Sequence, residues 1–254
     1  MTSPALSRAK RGGGRVYVWE GREYPSVTTI LGATVPKPAL VGWAARATAE
    51  WAVDHRAEWT DLSDRQAAVD LLKGAPFRDR DRAADVGSAV HHYAERIARG
   101  ETVTDASDDV APFIPHFARF LDEWEPEYVE TEATVFNLTA GYAGTLDAIA
   151  VIRGRTYLLD TKTGRDVYPD VALQLAAYEA GEFIGRDDGH TVDDIPDIDA
   201  FAVLHLRPDG YRLVPIVVDF EARRAWKNLL AFYAYLRGAH ERAVGPDMVP
   251  GAAA

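Results

Sequence analysis

The 254-residue sequence predicts an α/β fold in which a central mixed sheet is flanked by helices and preceded by an N-terminal helical elaboration. Three observations lead there. Residues 145–152 and 155–162 are two largely apolar runs joined by Arg153-Gly154, a two-residue connection of the commonest hairpin kind. A strand at 155–163, a helix at 170–183 and a strand at 200–206 then make a strand–helix–strand crossover, which joins parallel strands in a right-handed unit. Finally, 79–99 and 221–237 read as amphipathic helices, the first with a core stripe of Val86, Val90, Ala94 and Ile97. A chain of this length buries a sizeable core, and it reads as one domain.

The elements follow in order. Residues 1–15, with Arg8, Lys10, Arg11 and Arg15 around three glycines, read as a disordered basic tail. Residues 16–254 form the single domain, divided into a helical elaboration (16–77), a core (78–220) and a C-terminal helix and tail (221–254). A short strand pair (16–19, 23–25) precedes Ser26, an N-cap for the next helix. Pro36 and Pro38 interrupt the chain before a helix at 39–55, and another at 63–73 ends at Gly74. Gly100 closes the helix at 79–99; an acidic loop (102–109) and a helix at 110–125 follow, with Pro112 and Pro115 in or near its first turn. Strands are expected at 128–138, 141–152 and 155–163, then the helix at 170–183 and a long acidic loop at 185–199. A hairpin, 200–206 and 211–218, turns at Pro208-Asp209-Gly210, and the last helix stops at Gly238.

Composition limits the chemistry. With no cysteine there is no disulfide, zinc–thiolate or Fe–S site, which leaves carboxylate, imidazole and carbonyl ligands and favours Mg²⁺ or Mn²⁺. No apolar run reaches membrane-spanning length and the start lacks a signal-peptide core, so the reading is cytoplasmic with no membrane partner. The net charge of −11 opposes nucleic-acid binding unless positive charge is concentrated locally, for which the sequence offers the tail plus Arg78, Arg80, Arg82, Arg96 and Arg99.

The hairpin carries the chemistry. If Ile152 faces Arg155, counting five residues outward sets Asp147 opposite Asp160, in a non-hydrogen-bonded pair with Cα atoms roughly 4.5 Å apart. Lys162 follows by the period of two, so these three share a face with Ile149, Val151 and Leu158, opposite Ala148, Ala150, Ile152, Tyr157 and Leu159. Opposed carboxylates in a dry sheet need a proton or a cation between them, and a divalent metal is the simplest resolution. The alternative is a water-exposed salt bridge between Lys162 and one aspartate. Asp-x-Lys alone means little, since twenty-four aspartates and five lysines give about half a chance match. His91, four residues after Gly87 and bordering the apolar stripe, is a candidate ligand; alone, such a histidine is more often simply packed, and His55 and His92 read as solvated. Gln174 and Tyr178, spaced i, i+4, project together from the crossover helix and offer hydrogen bonds, or are a core tyrosine with a glutamine at the helix edge. Glu132 reads as a solvated edge charge unless its strand neighbours that of Asp147. Tyr168-Pro169 could bound a groove.

Gly87-Ser88-Ala89-Val90-His91, Gly144-Thr145-Leu146-Asp147, Asp160-Thr161-Lys162 and Gln174-Leu175-Ala176-Ala177-Tyr178 resemble, in order, the GxxxH, GxxD, DxK and QxxxY motifs of RecB-type nucleases in the PD-(D/E)xK superfamily. The resemblance covers about residues 80–220 and is nearest to phage-encoded and CRISPR-associated RecB-like exonucleases. It implies a restriction-endonuclease-like αβββαβ core. It also implies that His91, Asp147, Asp160 and the Thr161 carbonyl bind Mg²⁺ or Mn²⁺, with Lys162 at the attacking water, Gln174 and Tyr178 as supports and Glu132 as an accessory acid. The Fe–S cluster of many CRISPR-associated members is excluded by the absence of cysteine. The implied activity is DNA hydrolysis, as an exonuclease in phage or bacterial recombination, repair or replication, in the host cytoplasm if phage-encoded. A recombinase or single-strand-binding protein is a candidate partner. The alternatives are a structure- or site-specific endonuclease and a catalytically silent DNA-binding partner of a recombinase.

Overall fold

The computed structural model describes residues 6–9 and 14–245. Strands β1 (Ser7–Ala9), β2 (Arg15–Trp19) and β3 (Arg22–Pro25) form a small antiparallel sheet. Residues 7–9 thus pair with 15–17 and are not part of a disordered tail; residues 1–5 and 10–13 of that tail lie outside the described residues. Ser26 caps α1 (Val27–Thr34) by accepting from the Thr29 amide at 2.9 Å, as the sequence suggests. Helices α2 (Pro38–Asp54) and α3 (Arg56–Thr60) lead to α4 (Arg65–Ala98). The two helices expected around Gly74 are therefore one. Pro76 forfeits a single backbone bond, Ala75 and Pro76 are buried, and their packing carries the helix through a point where local signals end it.

A 3-10 turn (Ala111–Phe113) and α5 (Ile114–Trp124) precede the main sheet. Its strands are β4 (Glu127–Asn137), β5 (Tyr142–Ile152), β6 (Arg155–Lys162), β7 (Phe183–Gly185), β8 (Val192–Asp193), β9 (Ala200–Arg207) and β10 (Gly210–Ile216). Helix α6 (Val171–Glu179) lies between β6 and β7, and α7 (Phe220–Arg237) follows β10. The seven strands run β10-β9-β6-β5-β4-β7-β8, with β6 and β9 parallel and every other neighbouring pair antiparallel, so the sheet is mixed and flanked by helices. Helix α6 is shorter than expected and Phe183 belongs to β7. A Cβ on Gly181 would lie 2.1 Å from Val135 Cγ1, so the backbone there presses on β4, which β7 then joins. The acidic loop likewise contains β8.

Alternation sorts side chains to two cores. Ile149, Leu158, Phe201 and Val203 pack with α1, α6 and α7, burying Val27, Ile30, Leu175 and Trp226. Ala148, Ala150, Ile152, Leu159, Ala202 and Leu204 pack under α4 and α5 with Val90, Phe117 and Phe120. The small sheet lays Tyr17, Trp19 and Tyr24 against Phe136. Ile152 pairs with Arg155 across a turn whose Arg153 and Gly154 both take left-handed φ, +51° and +75°, as a type I′ hairpin requires. None of the helices among the described residues is long and apolar enough to cross a membrane.

Candidate metal centre

The β5–β6 ladder runs from Ile152–Arg155 to Ala148–Leu159, which leaves Asp147 and Asp160 next in register, as counting from the turn predicts. The ladder stops there because Asp147 Oδ2 takes the Thr161 amide itself, at 2.6 Å. Strand β5 is also distorted on its other side. Thr131 pairs with Ala148 and Ala133 with Leu146, but Glu132 and Asp147 are skipped, and Glu132 holds a left-handed φ of +49°. A non-glycine residue in that region costs on the order of 1–3 kcal/mol and persists where its surroundings enforce it. Alternation breaks at this point: Leu146 packs with one core and Ala148 with the other.

The break changes the expected arrangement of carboxylates. Asp147 does not share the face of Asp160 and Lys162; its carboxylate turns to α4, where His91 Nδ1 stands 3.5 Å from Asp147 Oδ2 and 3.8 Å from Glu132 Oε1. Asp160 turns to α6. Its Oδ1 accepts from Lys162 Nζ at 2.8 Å and from Gln174 Nε2 at 2.9 Å, and Gln174 Nε2 also reaches Tyr178 Oη at 3.2 Å. Lys162 Nζ lies 3.4 Å from Gln174 Oε1. The salt bridge weighed from sequence does form, between Lys162 and Asp160, but it is open to water only on the lysine side, the two side chains being 36% and 2% exposed. The two groups are joined through Thr161, whose amide binds Asp147 and whose residue lines the same cleft as His91 and Glu132.

Two glycines permit this packing. A Cβ on Gly144 would meet Tyr178 Cε1 at 2.7 Å and Val27 Cγ2 at 3.1 Å, and one on Gly87 would meet Thr163 Oγ1 at 3.0 Å. Small residues therefore let α6 settle on β5 and α4 approach the end of β6.

The electrostatics belong to one cluster. Burial, the largest influence, pushes the His91 imidazolium towards neutrality, but Asp147, Glu132 and Asp160 outweigh it and lift its pKa to about 9. Burial lifts Asp160 to about 6, helped by the Asp147 charge and opposed by Lys162. Lys162 is raised despite its own desolvation, because Asp160 and Asp147 favour the ammonium. Burial pushes the Tyr178 phenol well above its ordinary range, so it stays protonated.

A cation fits the donor set. His91, Glu132 and Asp147 each present a ligand atom, all within 4.8 Å of one another. Octahedral ligands at 2.0–2.1 Å from a small divalent ion stand roughly 3–4 Å apart, so a small inward movement closes the group. The cleft they line, about 30 Å³, has room for an ion or a water. Asp160 Oδ2 is buried and accepts no hydrogen bond, although Lys162 Nζ lies 2.7 Å away, off the bonding direction. Imidazole and carboxylate ligands without thiolate suit Mg²⁺ or Mn²⁺.

The sequence reading missed several contributors. Tyr17 Oη contacts Thr145 Oγ1 at 2.8 Å, which ties the small sheet to the GxxD segment, and nothing local to Tyr17 announces it. His205 Nε2 donates to the Gly164 carbonyl at 2.8 Å, and Arg207 Nη1 reaches the Thr163 and Gly164 carbonyls at 2.8 and 3.0 Å, fixing the chain after Lys162. A histidine inside the apolar run 200–206 was the available signal. The expected basic patch is largely spent internally. Arg80 pairs with Asp81, Arg82 with Asp109, Arg96 with Glu101 and Asp105, and Arg99 with Glu95, while Arg78 stacks on Trp51.

No family model matches the sequence, and no curated protein does. A solved structure described as "Crystal structure of SSO0001" overlies 76% of this chain and 71% of that one, with 13% sequence identity and a TM-score of 0.32. A likeness that slight carries no argument about fold or function.

Proposed function

We propose that this protein is a metal-dependent DNA nuclease, acting as an exonuclease in recombination, repair or replication in the cytoplasm. One observation carries the reading: a compact His91–Glu132–Asp147 ligand set stands beside the Asp160–Lys162 pair, with the carboxylates on neighbouring strands of the main sheet. His91, Glu132 and Asp147 would hold the ion, with Asp160 and the Thr161 carbonyl beside them. When bound, a divalent ion lowers the pKa of a coordinated water and offsets charge on a phosphodiester. The chain supplies the rest. Lys162, whose ammonium Asp160 and Asp147 favour, acts as a fixed cation for the attacked phosphate and orients the water. Gln174 fixes both members of that pair, donating to Asp160 while its carbonyl faces the ammonium. Tyr178, held neutral, steadies Gln174.

End-labelled linear DNA with Mg²⁺ or Mn²⁺ tests the proposal. Wild type should degrade it, and Asp160→Ala and Lys162→Ala should not; equal degradation by all three refutes the reading. Covalently closed circular DNA should survive, because an exonuclease needs an end, and its cleavage would indicate an endonuclease. A titration with no Mn²⁺ uptake would leave a silent DNA-binding partner of a recombinase.

A further inference from the structure

A second cleft, about 330 Å³, lies between the segment linking β6 to α6 and the edge strand β10. This volume falls at the lower end of small-ligand pockets, roughly 300–1,000 Å³. Its walls are mostly apolar, with Val167, Val171, Val214 and Ile216 among them. Tyr168 stands on the lining with 60% of its surface exposed, an aromatic face left to solvent where the surrounding apolar residues would otherwise cover it. The polar groups are one acid and one base: Arg212 Nη2 lies 3.4 Å from Asp166 Oδ1. The lining is therefore close to neutral, which favours neither a phosphate nor a cation. It suits a flat, uncharged ring with a polar edge.

The cleft is also tied to the segment that follows Lys162. The Gly164 carbonyl can only accept, so His205 Nε2 carries the proton, and His205 Nδ1 accepts from Arg212 Nη2 at 3.0 Å. One hydrogen-bonded line thus runs from the cleft wall to the backbone two residues beyond Lys162. Both contacts use Nη2 alone, which leaves Nη1 and Nε of Arg212 as donors, while Asp166 Oδ2 remains an acceptor. An arginine and a carboxylate beside a stacking face offer both donors and an acceptor to the polar edge of a heterocycle, whichever it is.

We infer that this cleft is a nucleobase subsite, in which one base of a single-stranded segment stacks on Tyr168 with its edge towards Asp166 and Arg212. The inference rests on the nuclease reading for its substrate class. It adds a positioning device on the α6 side of the sheet, tied through Arg212 and His205 to the backbone that follows Lys162, which would hold one base of a strand whose backbone runs on to the metal centre. Stacking on an aromatic side chain does not depend on base identity, which suits an enzyme that must accept every sequence it meets.

Fluorescence anisotropy with a labelled single-stranded oligonucleotide, in chelator so that no cutting occurs, is the test. Tyr168→Ala should weaken binding roughly 5- to 150-fold, the range for loss of one base–aromatic stack. Tyr168→Phe should bind as wild type does. Because the cleft is neutral, the ratio of wild-type to Tyr168→Ala affinity should stay constant as salt rises. An oligonucleotide of abasic sites should bind equally weakly to both proteins. Thermal melts check that the exposed substitution leaves the fold intact. Equal affinity of wild type and Tyr168→Ala, a ratio that collapses with salt, or no binding by wild type would each overturn the subsite. Failure of the nuclease reading looks different: binding depends on Tyr168, yet wild type with Mn²⁺ leaves linear DNA intact.

Discussion

Replacing His91 with glutamine removes a cation that the fold holds between Asp147 and Glu132, and the effect on stability should depend on pH. In metal-free protein the imidazolium pKa rises from 6.5 to about 9. Below pH 6.5 folded and unfolded chains both carry the proton, and the full stabilisation is present. Between 6.5 and 9 the unfolded chain loses it while the folded one keeps it, so stability falls by about 1.4 kcal/mol per pH unit. Above 9 the contribution is gone. The rise corresponds to about 3 kcal/mol, reduced to roughly 2 kcal/mol because the side chain is 26% exposed and partly screened by solvent. Asp160, at about 6, adds its own cost as pH rises towards that value and is constant above it, so it does not distort the window. Urea denaturation of wild type and His91→Gln in chelator, at intervals from pH 6 to 9.5, reads the difference directly. The wild-type advantage should shrink by about 2 kcal/mol across the range. A difference that stays flat refutes the ion-paired histidine. The same proton must leave when a metal binds, so the apparent Mn²⁺ affinity of wild type should rise about tenfold per pH unit between 7 and 8.5, and that of His91→Gln should not.

Gly144→Ala forces a methyl group against Tyr178 Cε1 and Val27 Cγ2 and should destabilise by about 1–3 kcal/mol, seen as a melting temperature lower by roughly 3–10 °C. Tyr178→Phe leaves the Gln174–Asp160 bond in place and should cost only about 1 kcal/mol in a denaturant melt. In steady-state kinetics it should lower kcat more than it raises KM. His205→Leu removes a donor to the Gly164 carbonyl and the acceptor of Arg212, a loss of about 1–3 kcal/mol by chemical denaturation.

What could be read from sequence was what short-range physics decides. The β5–β6 hairpin was legible because its apolar residues repeat every two positions and Arg153-Gly154 demands a tight turn; register followed by counting. The Ser26 cap and the stop at Gly238 rest on the same kind of local rule. The aim of Asp147 was not legible. It depends on Glu132 in β4, whose left-handed backbone opposite Asp147 breaks the alternation that the counting assumed. Gly181 failed in the same way: the chain there lies so close to Val135 and Ile195 that no side chain fits, a packing between distant segments that accompanies the early end of α6 and the start of β7. The single helix through Gly74 and Pro76, the reach of Tyr17 into the site and the role of His205 all come from packing between distant segments. Glu132 read as a solvated charge unless β4 neighboured β5. It does, and that one adjacency supplies the third member of the ligand set.

The charge of −11 sharpens the functional argument. A protein that tracks a duplex by charge alone gains affinity from each phosphate it neutralises, and its binding weakens steeply with salt. Here the arginines along α4 that could have played that part are matched, Arg80, Arg82, Arg96 and Arg99 each to a nearby carboxylate. Lys162 is likewise committed, to Asp160. If the substrate is DNA, the ligand set itself adds further repulsion, because Glu132 and Asp147 meet an incoming phosphate with only His91 between them, the buried Asp160 being already offset by Lys162. A divalent ion reverses that balance at the one place where the backbone must approach. A neutral stacking cleft then provides grip that salt does not screen. On this reading, the stacking cleft can hold a strand with or without the ion, and the acidity of the centre acts as a selective device on the next step: only after the ion is loaded can the phosphodiester settle where it would be cut.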